Sequence, residues 1–331
     1  MEEEYGAKQI KVLKDLEAVR KRPSMYIGST GPRGLHHLIH EVVDNSIDEV
    51  LAGYCQNIKV TIHPDNSITV VDDGRGIPVA PHPVHKKSAL ELVMTSLHAG
   101  GKFDNKIYRV AGGLHGVGIS VVNALSEWLE AKVARDNKIW RQRYARGKPL
   151  TAVECIGDDS CPKNGTEISF KPDPEIFESI EFDWDRVTRR LRELAFLNQG
   201  LNIEVEDERS GKKRSFAYEG GIRSFVKHLN RNREVLFDEP IYLQGEKDNV
   251  TVEAAIQYNQ SFIQDIFAFV NDINTEEGGT HLSGFKSALT RTINDYIKKE
   301  ENKPVVLLGE DVREGLTAII NMKIPNPQFE G

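Results

Sequence analysis

Three polar residues at four-residue intervals occupy the first long segment with helical periodicity: His37, Glu41 and Asn45. In a helix this spacing stacks the side chains on one face. Glu41 could accept a proton from water, with His37 one turn away to orient it, and the carbonyl oxygen of Asn45 is a suitable ligand for Mg²⁺. Asp44 and Asp48 share that face, so the alternative interpretation is a solvated helix surface.

A second group follows a short apolar run, in the sequence Val70-Val71-Asp72-Asp73-Gly74-Arg75-Gly76-Ile77-Pro78. Its two glycines, with one residue between them, allow a flat ligand to approach the backbone closely. The Asp72 carboxylate, at the end of the strand-like run, could accept a hydrogen bond from an exocyclic amine such as that of adenine. An Asp-Gly turn explains the same residues, and the motif alone supports the turn and the purine pocket equally.

A third group is the glycine-dense stretch at residues 99–118, which contains Gly100-Gly101-Lys102-Phe103 and Gly112-Gly113-Leu114-His115-Gly116-Val117-Gly118. The stretch ends where a helix is predicted to begin. Successive glycine N–H groups at a helix N-terminus form a cradle for anions, which favours a phosphate-binding loop. A flexible loop without a ligand is the alternative interpretation.

Other signatures of nucleotide or hydrolase chemistry are absent from the sequence. It contains no Walker A loop and no G-x-G-x-x-G, G-x-S-x-G, H-E-x-x-H or C-x-x-C motif. The net charge of −7 argues against attraction of the whole chain to nucleic acid, although a local basic surface is compatible with it. Three dispersed cysteines predict a reducing, cytoplasmic location. We expect neither a membrane span nor a secretory signal.

The hydrophobic pattern predicts the elements that would position these groups. A helix is expected from about Arg33 to before Gly53, because its apolar residues form one stripe. The runs 57–63 and 67–71 indicate a β-hairpin. Helices are predicted at 88–97, 119–127 and 185–196, and further strands at 131–135, 138–144, 165–171 and 201–206.

A second region is predicted after a boundary at about residues 208–221. It should contain a long helix at 280–300. Three strands are predicted there, at 250–258, 266–270 and 316–323. Because both regions combine helices with mostly antiparallel sheet, the predicted fold class is α+β, with two two-layer α/β sandwiches.

The order of the three groups resembles the Bergerat (GHKL) ATP-binding fold, which is shared by type II topoisomerases, Hsp90 chaperones, MutL proteins and histidine kinases. Four segments narrow the resemblance to the B subunits of bacterial DNA gyrases, with topoisomerase IV B subunits as the alternative within the family. These segments are residues 22–30 (RPSMYIGST), 41–49 (EVVDNSIDE), 112–118 (GGLHGVG) and 310–317 (EDVREGLT). The likeness covers nearly the whole chain.

The resemblance implies roles for individual residues. Glu41 would be the general base of ATP hydrolysis with His37 supporting it, Asn45 the Mg²⁺ ligand, and Asp72 the acceptor for the adenine amino group. Further nucleotide contacts are implied for Tyr5, Ile10, Gly76, Ile77, Lys102, Tyr108, Gly113, Leu114, His115, Gly116, Val117, Gly118 and Thr166. Aminocoumarin-type inhibitors would bind at Asp72, Arg75, Pro78, Arg135 and Thr166.

The resemblance also implies three parts of the chain: a dimerisation arm at 1–14, a GHKL ATPase domain at 15–219, and a transducer domain of the ribosomal protein S5 domain 2-like type at 220–331. A transducer normally supplies a Gln-Thr-Lys loop whose lysine contacts the γ-phosphate. No Gln-Thr-Lys occurs here, so we expect a chain truncated before that loop and impaired in turnover.

The implied function is the ATP-operated gate of a type II DNA topoisomerase. ATP and Mg²⁺ would drive formation of a homodimer that captures double-stranded DNA, and an A₂B₂ heterotetramer with the gyrase A subunit would introduce negative supercoils. The alternatives are decatenation by topoisomerase IV, a kinase or chaperone with the same pocket, and a non-catalytic ATP-sensing dimerisation module. A histidine kinase is disfavoured because no histidine precedes the helix that is expected to begin near residue 33.

Basic residues on two predicted helices are candidates for DNA contact. They are Arg186, Arg189, Arg190, Arg192, Lys286, Arg291, Lys298 and Lys299. Solvated helix faces are the alternative interpretation of both groups.

Overall fold

The computed structural model describes residue 13 and residues 16–103, 107–113, 116–158, 164–301 and 306–329. The predicted arm, apart from Leu13, lies outside the described residues, so Tyr5 and Ile10 are not located. Leu114 and His115 of the glycine-dense stretch lie outside them as well.

The described residues form α-helices and β-strands that alternate irregularly along the chain. The helices are α1 (Leu16–Lys21), α2 (Ser24–Ile27), α3 (Pro32–Leu51), α4 (Ala89–Thr95), α5 (Gly118–Ala124), α6 (Trp184–Leu197), α7 (Gly221–Asn230), α8 (Thr280–Glu301) and α9 (Gly309–Arg313). The strands are β1 (Asn57–Ile62), β2 (Ile68–Asp72), β3 (Ser126–Arg135), β4 (Lys138–Ala145), β5 (Lys148–Pro149), β6 (Glu154–Asp158), β7 (Gly165–Pro172), β8 (Asn202–Asp207), β9 (Lys212–Ala217), β10 (Ile241–Lys247), β11 (Val250–Tyr258), β12 (Asp265–Val270), β13 (Ile273–Asn274) and β14 (Leu316–Lys323).

The chain divides into two compact units. Unit 1 comprises residues 1–108, 113–190 and 203–215, and unit 2 comprises residues 109–112, 191–202 and 216–331. Short segments from the first two thirds of the chain therefore belong to unit 2. The predicted division into domains at residues 14/15 and 219/220 stays a prediction.

The sheet of unit 1 has the strand order β5-β4-β3-β7-β2-β1-β8-β9, with β6 paired to β4. The predicted hairpin is confirmed, since β1 and β2 pair antiparallel from Ile58 opposite Asp72 to Ile62 opposite Ile68. Strand β7 pairs antiparallel with both β2 and β3, and sets Thr166 opposite Asp72. This register brings Thr166 next to a residue 94 positions earlier in the chain.

Helix α3 supplies much of the apolar side of unit 1. It begins with Pro32 at its first turn, where the missing N–H costs nothing, and its stripe of Leu35, Leu38, Ile39 and Val42 is buried. The opposite face of the sheet is polar. There His63 Nε2 lies 2.8 Å from Thr69 Oγ1, which lies 2.9 Å from Ser169 Oγ. Helices therefore pack on one face of this sheet.

The sheet of unit 2 has the order β10-β11-β14-β12-β13, in which β12 and β14 are parallel and the other neighbouring strands are antiparallel. Side chains alternate along β14: Ile319 packs with Phe225 and Val226 of α7, whereas Ile320 packs with Ala268 and with side chains of α8. Helices thus cover both faces of this sheet. The predicted α+β class with two sheets is confirmed, but helices on both faces give unit 2 a third layer where two were predicted.

Two local predictions differ from the structure. The helix predicted at 119–127 ends at Ala124, because Leu129 and its neighbours pair with β7 and draw residues from 126 onward into β3. Helix α7 and strand β10 were not predicted. Among the helices described, none has the length and apolar character of a membrane span.

Candidate functional site

The acidic face of α3 carries a histidine–carboxylate pair. His37 Nε2 lies 3.0 Å from Glu41 Oε1, as the four-residue spacing predicts, and both side chains remain partly exposed. The hydrogen bond to Glu41 raises the pKa of His37 above its ordinary value of 6.5. The imidazole is therefore held in its charged form over a wider pH range and fixes one carboxylate oxygen of Glu41.

The other carboxylate oxygen of Glu41 faces the first residue of α5. A Cβ at Gly118 would collide with Glu41 Oε2, so only glycine allows the helix start to approach the carboxylate this closely. The end of the glycine-dense stretch and the acidic helix therefore meet at this point.

Lys102 occupies the same side of α3 one turn further along. Its ammonium donates to Asn45 Oδ1 at 2.6 Å and forms an ion pair with Asp48, whose side chain is 1% exposed. Gly113 lies against this pair, since a Cβ there would sit 2.8 Å from Lys102 Nζ. The alternative interpretation, a solvated face, does not hold for Asp48, which is buried and paired with the lysine.

The buried carboxylate of Asp72 ends β2. Its Oδ2 accepts from Ser46 Oγ at 2.8 Å, and its Oδ1 accepts from the backbone N–H of Gly74 at 3.0 Å and of Thr166 at 3.3 Å. Burial raises the pKa of Asp72 to about 6, although these hydrogen bonds favour the charged form. The carboxylate is thus fixed by three donors from α3, the Asp-Gly turn and β7.

The backbone at Gly76 passes very close to two strands. Gly76 has a φ of +75°, and a Cβ there would lie 2.9 Å from the Ala134 carbonyl oxygen. Arg135 Nη1 donates to the Gly76 carbonyl at 2.7 Å. Ile77 is half-buried and Pro78 exposed. Of the residues predicted at the inhibitor rim, Arg75 and Pro78 flank Gly76 in this loop, and Arg135 contacts the loop from the end of β3.

Arg75 forms a cluster that the sequence did not reveal. It binds Glu49 in bidentate fashion, at 2.9 and 2.8 Å, and its guanidinium lies over the rings of Tyr54 and Tyr108. Tyr108 also donates to Glu49 at 2.5 Å. Tyr108, predicted to contact nucleotide, is therefore placed beside the Asp-Gly turn by Glu49.

Several functional candidates were missed in the sequence. Ser46 and Glu49 lie within the segment 41–49 without an assigned role, and both are buried polar residues. Burial identifies them as candidates in the structure, and burial of a polar residue cannot be deduced from its spacing in the sequence. Asp44, on the same face, is half-buried: partial burial raises its pKa to about 6, and Arg190 Nη2 lies 3.6 Å from its Oδ1.

The described residues contain no group of three or more histidines, cysteines or acids arranged to hold a metal ion. Asn45 Oδ1 is nevertheless an oxygen that already accepts a cation, the Lys102 ammonium. This donor chemistry fits Mg²⁺, which takes few protein ligands when phosphate oxygens complete its shell.

Two of the predicted DNA-contacting arginines take part in the fold. Arg190 pairs with Asp44, and the Arg192 guanidinium lies 5.2 Å from the centroid of the Phe216 ring. The other basic residues stay a prediction.

Two protein families match the sequence. The family described as histidine kinase-, DNA gyrase B- and HSP90-like ATPase matches residues 30–176, and the family described as DNA gyrase B matches residues 221–331. The first match contains all the site residues described above.

Individual proteins are similar over almost the whole chain. The DNA gyrase B protein of Clostridium acetobutylicum is 60% identical over 99% of this chain, which spans 52% of that relative. The chain thus covers about half the length of the curated relatives it matches.

Solved structures are similar as well. The 43K ATPase domain of Thermus thermophilus gyrase B, in complex with an aminocoumarin, has a TM-score of 0.84 at 42% identity, covering 96% of this chain and 83% of that one. The ATP-binding domain of Francisella tularensis topoisomerase IV, in complex with a small-molecule inhibitor, has a TM-score of 0.80 at 35% identity, covering 97% and 85%.

Proposed function

The chain belongs to the DNA gyrase B family, and from this premise we propose that unit 1 binds Mg²⁺-ATP and hydrolyses it to ADP and phosphate. The observation that carries the proposal is the buried Asp72 carboxylate, held by Ser46, Gly74 and Thr166 in the same unit as the Lys102–Asn45 contact and the His37–Glu41 pair. Together these residues supply a hydrogen-bond acceptor for the adenine ring, a cation that can bind the phosphates, and a general base that can take a proton from water.

Asp72 recognises the base. Its carboxylate accepts a hydrogen bond from the adenine amino group, which guanine replaces with a carbonyl oxygen that would repel it. Gly76 and Ile77 leave the backbone open to a flat ring, and Thr166 lies beside the carboxylate through its backbone N–H. Tyr108 extends this side of the site next to Arg75.

Lys102 and the backbone N–H groups of Gly113, Gly116, Val117 and Gly118 bind the phosphates. The lysine exchanges its contact with Asn45 for phosphate oxygens, which are stronger acceptors for an ammonium. Asn45 Oδ1 would then hold Mg²⁺, whose charge helps to neutralise the phosphates when it is bound.

Glu41 activates the attacking water. His37 fixes Oε1, and Oε2 faces the start of α5, so Oε2 is the oxygen that takes the proton. The water oxygen forms a bond to the γ-phosphorus while the bond to the ADP oxygen breaks, and the proton moves to Glu41. Lys102 and the backbone N–H groups stabilise the charge that develops on the phosphoryl oxygens.

The relatives support a proposal for the activity beyond ATP hydrolysis. We propose that residues 15–219 act as the ATPase domain and residues 220–331 as the transducer. ATP binding would drive dimerisation around double-stranded DNA in the cytoplasm, and an A₂B₂ complex with gyrase A would introduce negative supercoils. Arg75, Pro78 and Arg135 form the rim at which an aminocoumarin would bind, as one binds to the Thermus domain.

Equilibrium binding of non-hydrolysable ATP and GTP analogues, with and without Mg²⁺, tests the proposal. We expect the ATP analogue to bind at least tenfold more tightly than the GTP analogue, and Asp72→Asn to reduce this preference. Asp73→Asn is the matched control, because Asp73 accepts from Gln56 and Asn57 outside the site. Equal binding of the two analogues, or binding of neither, would contradict the proposal.

A further inference from the structure

The segment Arg109–Gly112 directly precedes Gly113, the first of the proposed phosphate-binding glycines. It belongs to unit 2, although the chain on both sides of it belongs to unit 1. Gly113, the next residue, lies against the Lys102 ammonium. The backbone that carries the phosphate-binding glycines therefore starts from a segment that is packed in the other unit.

Asn271 holds this segment. Its Nδ2 donates to the Ala111 carbonyl oxygen at 2.7 Å, in a contact where both residues are buried. The Asn271 carbonyl oxygen also approaches the segment, since a Cβ at Gly112 would lie 3.0 Å from it. One turn of unit 2 thus contacts the segment through a side chain and through its backbone.

The same side chain is tied to the end of β14. Asn271 Oδ1 accepts from the Ile324 N–H at 2.9 Å, and Nδ2 donates to the Ile324 carbonyl at 3.0 Å. The backbone N–H of Asn271 bonds to the Met322 carbonyl at 2.8 Å. The Asn271 side chain, which lies in the turn between β12 and β13, therefore holds two other chain segments: Arg109–Gly112 and the residue that follows β14.

We propose that Asn271 is a positioning residue for nucleotide binding, which fixes the backbone at Ala111 and couples the nucleotide site to unit 2. The proposal rests on the proposed function, because it supposes that Gly113 contacts phosphate. An amide is suited to this role, since it donates to Ala111 and accepts from Ile324 at the same time.

The effect is reciprocal. If the Asn271 bond favours the backbone position at which Gly113 binds phosphate, nucleotide binding in turn favours the arrangement of Ala111 in which the Asn271 bond is formed. Nucleotide should therefore slow hydrogen exchange at the amides of Asn271 and Ile324, which lie in unit 2 and are not predicted to touch nucleotide. A residue with a merely structural role would leave exchange there insensitive to nucleotide.

The variant Asn271→Gly removes the side chain without adding backbone strain, because Asn271 has a φ of +49°, a conformation that alanine disfavours. Asn198→Ala is the matched control. Asn198 Nδ2 donates to the buried Asp272 carboxylate in the same turn at 2.7 Å and to the Leu194 carbonyl at 3.0 Å, and neither bond involves Ala111.

Binding of a Mg²⁺-ATP analogue and hydrogen–deuterium exchange are measured on the wild type and both variants. We expect Asn271→Gly to weaken analogue binding about fivefold to tenfold, the value of one net hydrogen bond. We also expect it to abolish nucleotide-induced protection at the amide of residue 271, whose bond to the Met322 carbonyl does not use the side chain. We expect Asn198→Ala to raise basal exchange in the turn but to keep wild-type affinity and the nucleotide-induced protection.

If Asn271→Gly does not fold, Asn271→Asp keeps an acceptor for Ile324 and replaces the donor to Ala111, and the same two outcomes are expected of it. Wild-type affinity and protection in a folded Asn271 variant would overturn the inference while leaving the proposed function intact. Failure of the wild type to bind the analogue would instead contradict the proposed function.

Discussion

Lys102 donates a hydrogen bond to Asn45 Oδ1 at 2.6 Å and pairs with the buried Asp48 carboxylate. One ammonium therefore joins the glycine-dense stretch to the acidic face of α3. Lys102 is the cation predicted to bind phosphate, and Asn45 Oδ1 is the oxygen predicted to bind Mg²⁺; in this structure the two are bonded to each other. Nucleotide and metal must compete with the protein's own ion pair, so nucleotide affinity and fold stability are linked through a single side chain.

Replacing Lys102 with methionine should affect both properties. Removing the ammonium leaves the buried charge of Asp48 without its compensating cation, which should lower the free energy of unfolding by about 3 kcal/mol. Asp48→Asn in the same chain should restore most of that loss but not nucleotide affinity. Urea unfolding and nucleotide binding of Lys102→Met and of the double variant test this. Equal destabilisation of the two variants would show that Asp48 does not depend on the lysine.

Replacing Glu41 with glutamine should separate binding from hydrolysis. The amide cannot take a proton from water, so we expect turnover to fall by at least about 10²-fold while nucleotide affinity stays near wild type. Asp44→Asn, a neighbouring acid that pairs with Arg190, is the control and should retain more activity. Loss of nucleotide binding in Glu41→Gln would contradict the assignment of the base.

The same variant makes a prediction about His37. Because the hydrogen bond to Glu41 is the largest cause of its raised pKa, Glu41→Gln should move the pKa of His37 down toward 6.5, as measured by NMR titration. A raised pKa of a histidine stabilises the fold below its ordinary pKa, and this contribution is lost as the pH rises through the folded value. The wild type should therefore exceed Glu41→Gln in stability more at pH 6 than at pH 9. An unchanged His37 titration would show that another group holds the imidazole.

Local patterns were sufficient for several elements in both units. The helix predicted from about Arg33 is α3, and the hairpin and the strands at 250–258 and 316–323 match closely, because periodicity and turn residues act within a few positions. Helix α7 also has a local signal, since Ile222, Phe225, Val226 and Leu229 have helical spacing.

Features that depend on distant segments could not be predicted. Glu49 meets Arg75 across 26 positions, and neither residue carries a local pattern that names its partner. The assignment of residues 109–112 and 191–202 to unit 2 is also invisible in the sequence, because it depends on packing partners such as Asn271 and Phe269 far along the chain.

Asp72 predicts a dependence of nucleotide binding on pH. Only the ionised carboxylate accepts from the adenine amino group at full strength, and its pKa is about 6, so affinity should fall as the pH is lowered through 6. The effect on stability has the opposite sign: burial raises the pKa above the ordinary 3.8, so this group favours the folded state as the pH falls from about 6 toward 4.

We would measure the affinity for the ATP analogue between pH 5 and pH 8 in the wild type, Asp72→Asn and Asp73→Asn. The three profiles distinguish titration of Asp72 from titration of the groups near it. Wild type and Asp73→Asn should lose affinity in parallel below pH 6, whereas Asp72→Asn should bind weakly throughout with a flatter profile. Asp44 also has a pKa near 6 and should act equally in all three proteins. A profile of Asp72→Asn as steep as that of the wild type would assign the titration to Asp44 or His37.

Alanine substitutions at Gly76 and Gly53 test whether the close approach of the Asp-Gly turn to β3 shapes the base pocket. Both have left-handed φ angles, +75° and +82°, so alanine at either position should cost about 1 kcal/mol of backbone strain. A Cβ at Gly53 would have no described atom within 4 Å, whereas one at Gly76 would lie 2.9 Å from the Ala134 carbonyl oxygen and 3.0 Å from Val133 Cγ1.

Gly76→Ala should therefore lose more stability than Gly53→Ala, and it alone should lose nucleotide affinity, because relief of the crowding must move the loop that Arg135 holds through the Gly76 carbonyl. Thermal unfolding and binding of the ATP analogue measure the two effects. If both variants lose the same stability and both bind like the wild type, the cost at Gly76 is backbone strain alone, and the close approach to β3 does not shape the base pocket.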